Sequence, residues 1–221
     1  AAVQQGKLLD SGIYGAAGDA PQRFKESGMT AEQLMNVIDA GLMTQLLHVE
    51  ARIASSIGKG FYTIGPCGEE LLAATSLHLK STDTVALHYR HTANSISRQL
   101  SAGRKVDEII LDRARAYTCS SLDPVTGGRH CSIGGGPNEY LVTSTLASQC
   151  PPAVGRALGI PLANSLNLTS RRFSKDAVSY VSVGDGSTNN AHFLAAVNLA
   201  KYAAFKNTKI PIIFGVSDNG I

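Results

Sequence analysis

From Thr30 onward Leu34, Val37, Ile38, Leu42, Leu46 and Val49 recur at three- and four-residue intervals, the spacing of one helix face, with polar residues between them. Thr30 and Glu32 supply a start and Gly58 and Gly60 a stop, which predicts a long amphipathic helix over 30–56. Glu69 and Glu70 open a second helix, where acidic residues favour the dipole. A short apolar strand, Val85 to Leu87, then runs into the polar cluster His88, Tyr89, Arg90 and His91. A helix follows around Lys105 to Ala116, then a long Gly-rich connection, SLDPVTGGRHCSIGGGPNEY, of a length that is often functional. Beyond it lies a helix centred on Ala153 to Leu158.

The last third is the most regular. Strand Ala177 to Val183, a Gly184-Asp185-Gly186 turn, helix Ala191 to Phe205 and strand Ile210 to Val216 form a strand–helix–strand unit. Its strands are continuous apolar runs, as in a parallel sheet covered on both faces, joined by a right-handed crossover. The expected class is therefore α/β, a mostly parallel sheet flanked by helices. Residues 1–28, Gly-rich and irregular apart from a short helix at APQRFKESG, read as an N-terminal extension whose order depends on a partner surface. Residues 29–221 read as one domain, incomplete at its C-terminus because the chain stops directly after a buried strand.

Composition narrows the function classes. A chain of 221 residues, 43% hydrophobic, can bury one sizeable core, and a formal charge of +3 is too mild to argue for nucleic acid. No run approaches the roughly 20 apolar residues of a membrane span. The four cysteines show no Cys-x-x-Cys spacing and, without a secretory hydrophobic segment, read as reduced thiols of an intracellular protein.

The candidate chemistry sits at the strand ends, where open α/β sheets bind ligands. GDG lacks the G-x-G-x-x-G register of a dinucleotide fingerprint, and no GKS or GKT follows it as in a P-loop. It is either a tight turn or a site that sets a carboxylate beside exposed N–H groups at a helix start. Asp185 ends one strand and Asn219 the next, so adjacent parallel strands would bring together two hard oxygen ligands suited to Mg²⁺ or Ca²⁺, which would bridge to a diphosphate. Asn198, in the intervening helix, completes the constellation.

GDG, Asn198 and the terminal DNG together resemble the thiamine diphosphate motif. GFYTIGPCGEE, HYRHTA, TSTLASQCPPAVG and GDGSTNNAHFLAAVNLA also occur in the order found in the alpha subunit of the 2-oxo acid dehydrogenase first component, over about residues 30 to 221. This resemblance implies a thiamine diphosphate-binding fold and oxidative decarboxylation of a 2-oxo acid, a branched-chain one favoured, with acyl transfer to a lipoyl group of the partner acyltransferase. Pyruvate as substrate, or another thiamine enzyme of transketolase type, is the alternative; a non-catalytic scaffold has no chemical reason to retain Arg90, Asp185 and Asn219 together.

By the same resemblance Tyr89 and Arg90 contact the cofactor, Arg90 holding the diphosphate through its guanidinium fork. Ser144 and Leu146 place the aminopyrimidine, and Gly184, Gly186 and Ser187 meet the diphosphate. Asp185, Asn219 and the carbonyl of Ile221 bind Mg²⁺. Thr143, Ser148 and Gln149 match positions that bind a structural potassium ion in branched-chain members, although Ser and Thr also satisfy turns. His130 is the candidate catalytic residue on the Gly-rich loop; a plain loop histidine is the alternative. The implied partners are a beta subunit or beta-like half, in a heterotetramer or a dimer of fused chains, and the lipoyl domain of the acyltransferase. The implied compartment is the cytoplasm of a bacterium or the mitochondrial matrix of a eukaryote.

Two departures from the family pattern stand out. Thr63 occupies a position that is His in pyruvate-specific members and apolar in branched-chain ones. The span from Asp185 to Asn219 is also longer than usual, the excess falling in YAAFKNTK, where a surface connection tolerates insertion at modest entropic cost.

Overall fold

A computed structural model describes residues 20–61, 64–129, 138–140 and 145–218. Two compact units divide the chain, the first reaching Met35 and the second running from Asn36. In the first lies helix α1 (Ala20–Ser27), where the sequence predicts a short helix. Helix α2 (Ala31–Ser56) begins there too. Its start is a reciprocal capping box: the Gln33 amide donates to Thr30 Oγ1 at 3.1 Å and the Thr30 amide donates to Gln33 Oε1 at 2.8 Å. The box is thus closed by Gln33 rather than by Glu32.

In the second unit β1 (Thr84–Ala86), β2 (Ser179–Gly184) and β3 (Ile212–Ser217) form a parallel sheet in the order β1-β2-β3. Thr84 pairs with Ser179, and Ser179 with Ile212; the last pair is Gly184 with Ser217. Strand β2 is buried along its whole length, which is why its pattern shows no alternation. Segment 138–140 covers the free edge of β1, with Val85 donating to the Asn138 carbonyl and Tyr140 donating to that of Val85. Part of the long Gly-rich connection therefore belongs to the sheet.

Helices α3 (Thr92–Ser101), α4 (Val106–Tyr117), α5 (Cys150–Ser165) and α6 (Ala191–Phe205) complete the unit. Helix α6 keeps its predicted bounds, because Asn190 caps it by accepting the His192 amide at 2.9 Å. Pro151 and Pro152 fall in the first turn of α5, where a missing N–H costs nothing. One core joins α5, α6 and the sheet through Val154, Val181, Val183 and Ala196; another joins α2, α3 and α4 through Met43, Leu47, Ile96 and Ile109.

Three expectations need correction. The helix opened by Glu69 is a 3-10 run, Glu69–His78, preceded by Gly68 at φ 95, a left-handed angle suited to glycine. The face that α2 buries is Ala40, Met43, Thr44, Leu47 and Ala51, while Ile38, Leu42, Leu46 and Val49 lie on its exposed side, Leu46 at 66%. Two apolar stripes overlap in this sequence, and the one through Ala40, Met43, Leu47 and Ala51 is the one that packs. Helix α3 is absent from the sequence expectation because its buried positions are mostly polar, Asn94, Ser95, Ser97 and Gln99 among them.

Candidate functional site

The parallel sheet sends the carboxyl ends of β1 and β2 in the same direction, so the residues that follow each strand meet. After β1 come His88, Tyr89, Arg90 and His91; after β2 comes Asp185–Ser187, a single 3-10 turn. A cleft of about 250 Å³ opens between them, lined by His88, Tyr89, Arg90, Leu146, Gly184, Asp185, Gly186 and Ser187. This volume lies below the roughly 300–1,000 Å³ of a typical small-molecule pocket and suits the diphosphate end of a larger ligand. Every cofactor-binding candidate among the described residues lines it: Tyr89, Arg90, Leu146, Gly184, Asp185, Gly186 and Ser187. Ser144, Asn219, Ile221, His130, Thr63 and Thr143 lie outside the described residues.

Arg90 is the fixed cation of the cleft. Its Nε donates to Glu69 Oε1 at 2.8 Å and its Nη1 to the Tyr89 hydroxyl at 3.2 Å, with the guanidinium 5.3 Å from the Tyr89 ring centre. Gly184 makes room for it, since a Cβ there would lie 3.1 Å from Arg90 Nη2. The absence of a side chain at Gly184 thus lets a charged fork lean over the strand end.

Glu69 proves more than a partner of a helix dipole. Only 8% of its side chain is exposed, and besides Arg90 it accepts from His91 Nε2 at 2.7 Å and from the Ser217 hydroxyl at 3.2 Å. His91 is in turn held by Ser182, whose hydroxyl lies 2.7 Å from Nδ1. With Nε2–H pointing at the carboxylate, Nδ1 accepts the serine proton and the imidazole is neutral. Burial lowers the pKa of His91 and outweighs the opposing pull of Glu69, in agreement with that assignment. Ser182 is itself buried and accepts the His88 amide at 3.0 Å, so this Ser–His–Glu chain is a structural strut and not a nucleophile with its base. The sequence gives a faint signal for it, three basic groups within HYRH and no acid among them.

The donor set fits a metal-bound diphosphate. Asp185 is half-buried in the cleft lining, and its carboxylate makes no hydrogen bond among the described residues, so its oxygens are of the hard type and accessible enough to hold a divalent cation. The ladder closes at Gly184 and Ser217, immediately before Asp185 on one strand and two residues before Asn219 in the chain on the other. The GDG turn stands apart from helix α6, which starts at Ala191 behind its own cap as the sequence predicts, and Asn198 lies exposed on that helix, outside the lining of the cleft. Of the potassium candidates, Ser148 donates to the Thr145 carbonyl at 2.9 Å, a turn bond, and Gln149 donates to that of Ser182 at 2.9 Å.

A second group with metal-ligand character, Glu69, His88 and His91, is buried and its ligand atoms lie within 4.8 Å of one another. The Arg90 guanidinium already occupies the Glu69 carboxylate, and a cation there would face a like charge. Among the described cysteines, Cys67 is exposed, Cys119 is half-buried, and Cys150 is buried, where desolvation pushes its thiol up to about 12.

The cleft lies at the carboxyl ends of the parallel strands of an α/β protein, where such folds place their ligands. The family model for the dehydrogenase E1 component matches residues 42–221, and the chain belongs to that family. Members are thiamine diphosphate-dependent components of 2-oxo acid dehydrogenases that work in complexes with other subunits and lipoyl-bearing partners. No curated protein matches the chain.

Proposed function

We propose that this chain is the alpha-type part of a first component that decarboxylates a branched-chain 2-oxo acid and passes the acyl group to a lipoyl group of a partner acyltransferase. The observation that carries this reading is the single cleft that gathers Arg90, Asp185 and the Gly184–Ser187 turn. Arg90 holds the diphosphate by charge, and its tether to Glu69 orients the fork before the ligand arrives. Asp185, with Asn219 and the Ile221 carbonyl, holds Mg²⁺ against the diphosphate, while Gly186 and Ser187 approach it closely. Leu146 and Ser144 support the aminopyrimidine, and Thr143, Ser148 and Gln149 steady that segment around a potassium ion. Bound here, thiamine diphosphate supplies the electron sink for loss of carbon dioxide.

Thr63 stands where pyruvate-specific members have His, which speaks against a standard pyruvate site. The remaining acid–base groups come from a beta subunit or beta-like half, with His130 the one candidate from this chain. The setting is a bacterial cytoplasm or a mitochondrial matrix. Among the described residues, no helix is long and apolar enough to cross a membrane. The test is carbon dioxide release by the complete assembly from 3-methyl-2-oxobutanoate and from pyruvate. Preference for the branched acid is the expected result; preference for pyruvate overturns the substrate, and no release from either overturns the activity.

A further inference from the structure

One cleft residue has no role in the reading above. His88 lines the same wall as Arg90, yet only 2% of it is exposed. Its backbone is pinned by the amide bond to Ser182 Oγ. Its Nδ1 accepts the Arg90 amide at 3.4 Å, so the ring hydrogen sits on Nε2. The distance of 4.0 Å from Nδ1 to Glu69 Oε2 is too long for a hydrogen bond, and an accepting Nδ1 has no proton to give. Nε2 has no hydrogen-bond partner among the described residues, and it faces Gly184, where a Cβ would lie 3.9 Å away. Arg90 Nη2 converges on the same point. An N–H that opens onto a cleft beside a cation is placed to donate to an anionic ligand bound there.

We propose that His88 is a ligand-binding residue of this cleft, whose imidazole donates its Nε2 hydrogen to an oxygen of the diphosphate that Arg90 holds by charge. The inference rests on the thiamine diphosphate reading and adds a contact to it. The donor is a dipole and not a second cation: burial, with His91 and Arg90 nearby, pushes His88 down to about 3. A neutral donor adds direction without adding to the repulsion around Arg90, and its contribution stays constant across neutral pH. His91, one turn on, spends its own Nε2 hydrogen on Glu69. The two histidines of HYRH thus divide the work: one steadies Glu69, and the other faces the ligand.

The experiment is calorimetric titration of thiamine diphosphate with Mg²⁺, and separately of unphosphorylated thiamine, into the complete assembly. It compares wild type, His88→Ala, His88→Phe, which keeps a ring but no donor, and His88→Gln, which restores an N–H. Loss of one hydrogen bond to a charged group predicts about 10- to 100-fold weaker diphosphate binding for Ala and Phe, thiamine unchanged, and Gln recovering most of the loss. Equal affinity of wild type, Ala and Phe for thiamine diphosphate overturns the inference and leaves the cofactor reading standing. A wild-type assembly that binds no thiamine diphosphate overturns the reading itself, and the inference with it.

Discussion

Replacing Glu69 by Ala removes the acceptor on which Arg90, His91 and Ser217 converge. The carboxylate is 8% exposed and the Arg90 side chain 19%, so the pair is largely shielded from water. Breaking a buried ion pair from one side costs about 3–5 kcal/mol, and the partial exposure of Arg90 points to the lower end. His91 loses its acceptor as well, which adds about 1 kcal/mol or more. A total near 4 kcal/mol lowers the melting temperature of a domain this size by roughly 8–16 °C. Glu69→Gln keeps the shape and one carbonyl acceptor and should lose about half as much. Thermal unfolding of the complete assembly, followed by circular dichroism with the cofactor absent, reads the difference directly. A Glu69→Ala melting point within about 2 °C of wild type would show that the network adds no stability and that Arg90 is held by something else.

Three further outcomes follow from the same geometry. Gly184→Ala keeps a backbone angle that any residue adopts, φ −78, but sets a Cβ 3.1 Å from Arg90 Nη2; it should fold normally and bind thiamine diphosphate about tenfold more weakly by calorimetry. Gly215→Ala puts a Cβ 2.5 Å from the Tyr180 hydroxyl, between neighbouring strands, and overpacking of this kind should cost about 1–3 kcal/mol in urea unfolding. His88 takes up a proton near its ordinary 6.5 when unfolded and only near 3 when folded. The unfolded state therefore binds more protons between those values, so stability is fully present above about 6.5 and falls by about 1.4 kcal/mol per pH unit below it. Urea midpoints at several pH values check this, and the slope should shrink in His88→Phe.

The cleft was legible because its residues follow strands directly: GDG and HYR mark the ends of two runs whose continuous apolar character announces a buried parallel sheet. Helix α6 was legible as a long apolar run after the GDG turn, and the structure adds the Asn190 cap that sets its start. Where chemistry and position separate, the pattern fails. Glu69 looks like an ordinary acidic residue at a helix start, and only the approach of β3 and the HYRH turn shows that it is buried among three donors. Helix α3 buries Ser and Asn side chains through bonds such as Ser76 to Ser97 and Asn94 to Thr75, which no hydrophobic period reveals. In α2 Ile38, Leu42, Leu46 and Val49 face outward, as a surface shaped for a partner would have them.

The central claim, that the end of β2 holds a metal-bound diphosphate, is tested most directly by titrating thiamine diphosphate into the complete assembly with and without Mg²⁺, for wild type and Asp185→Ala. The account predicts tight binding by wild type only when Mg²⁺ is present and no Mg²⁺-dependent binding by the variant. Equal affinity with and without the metal, or an Asp185→Ala variant that binds like wild type, would contradict it.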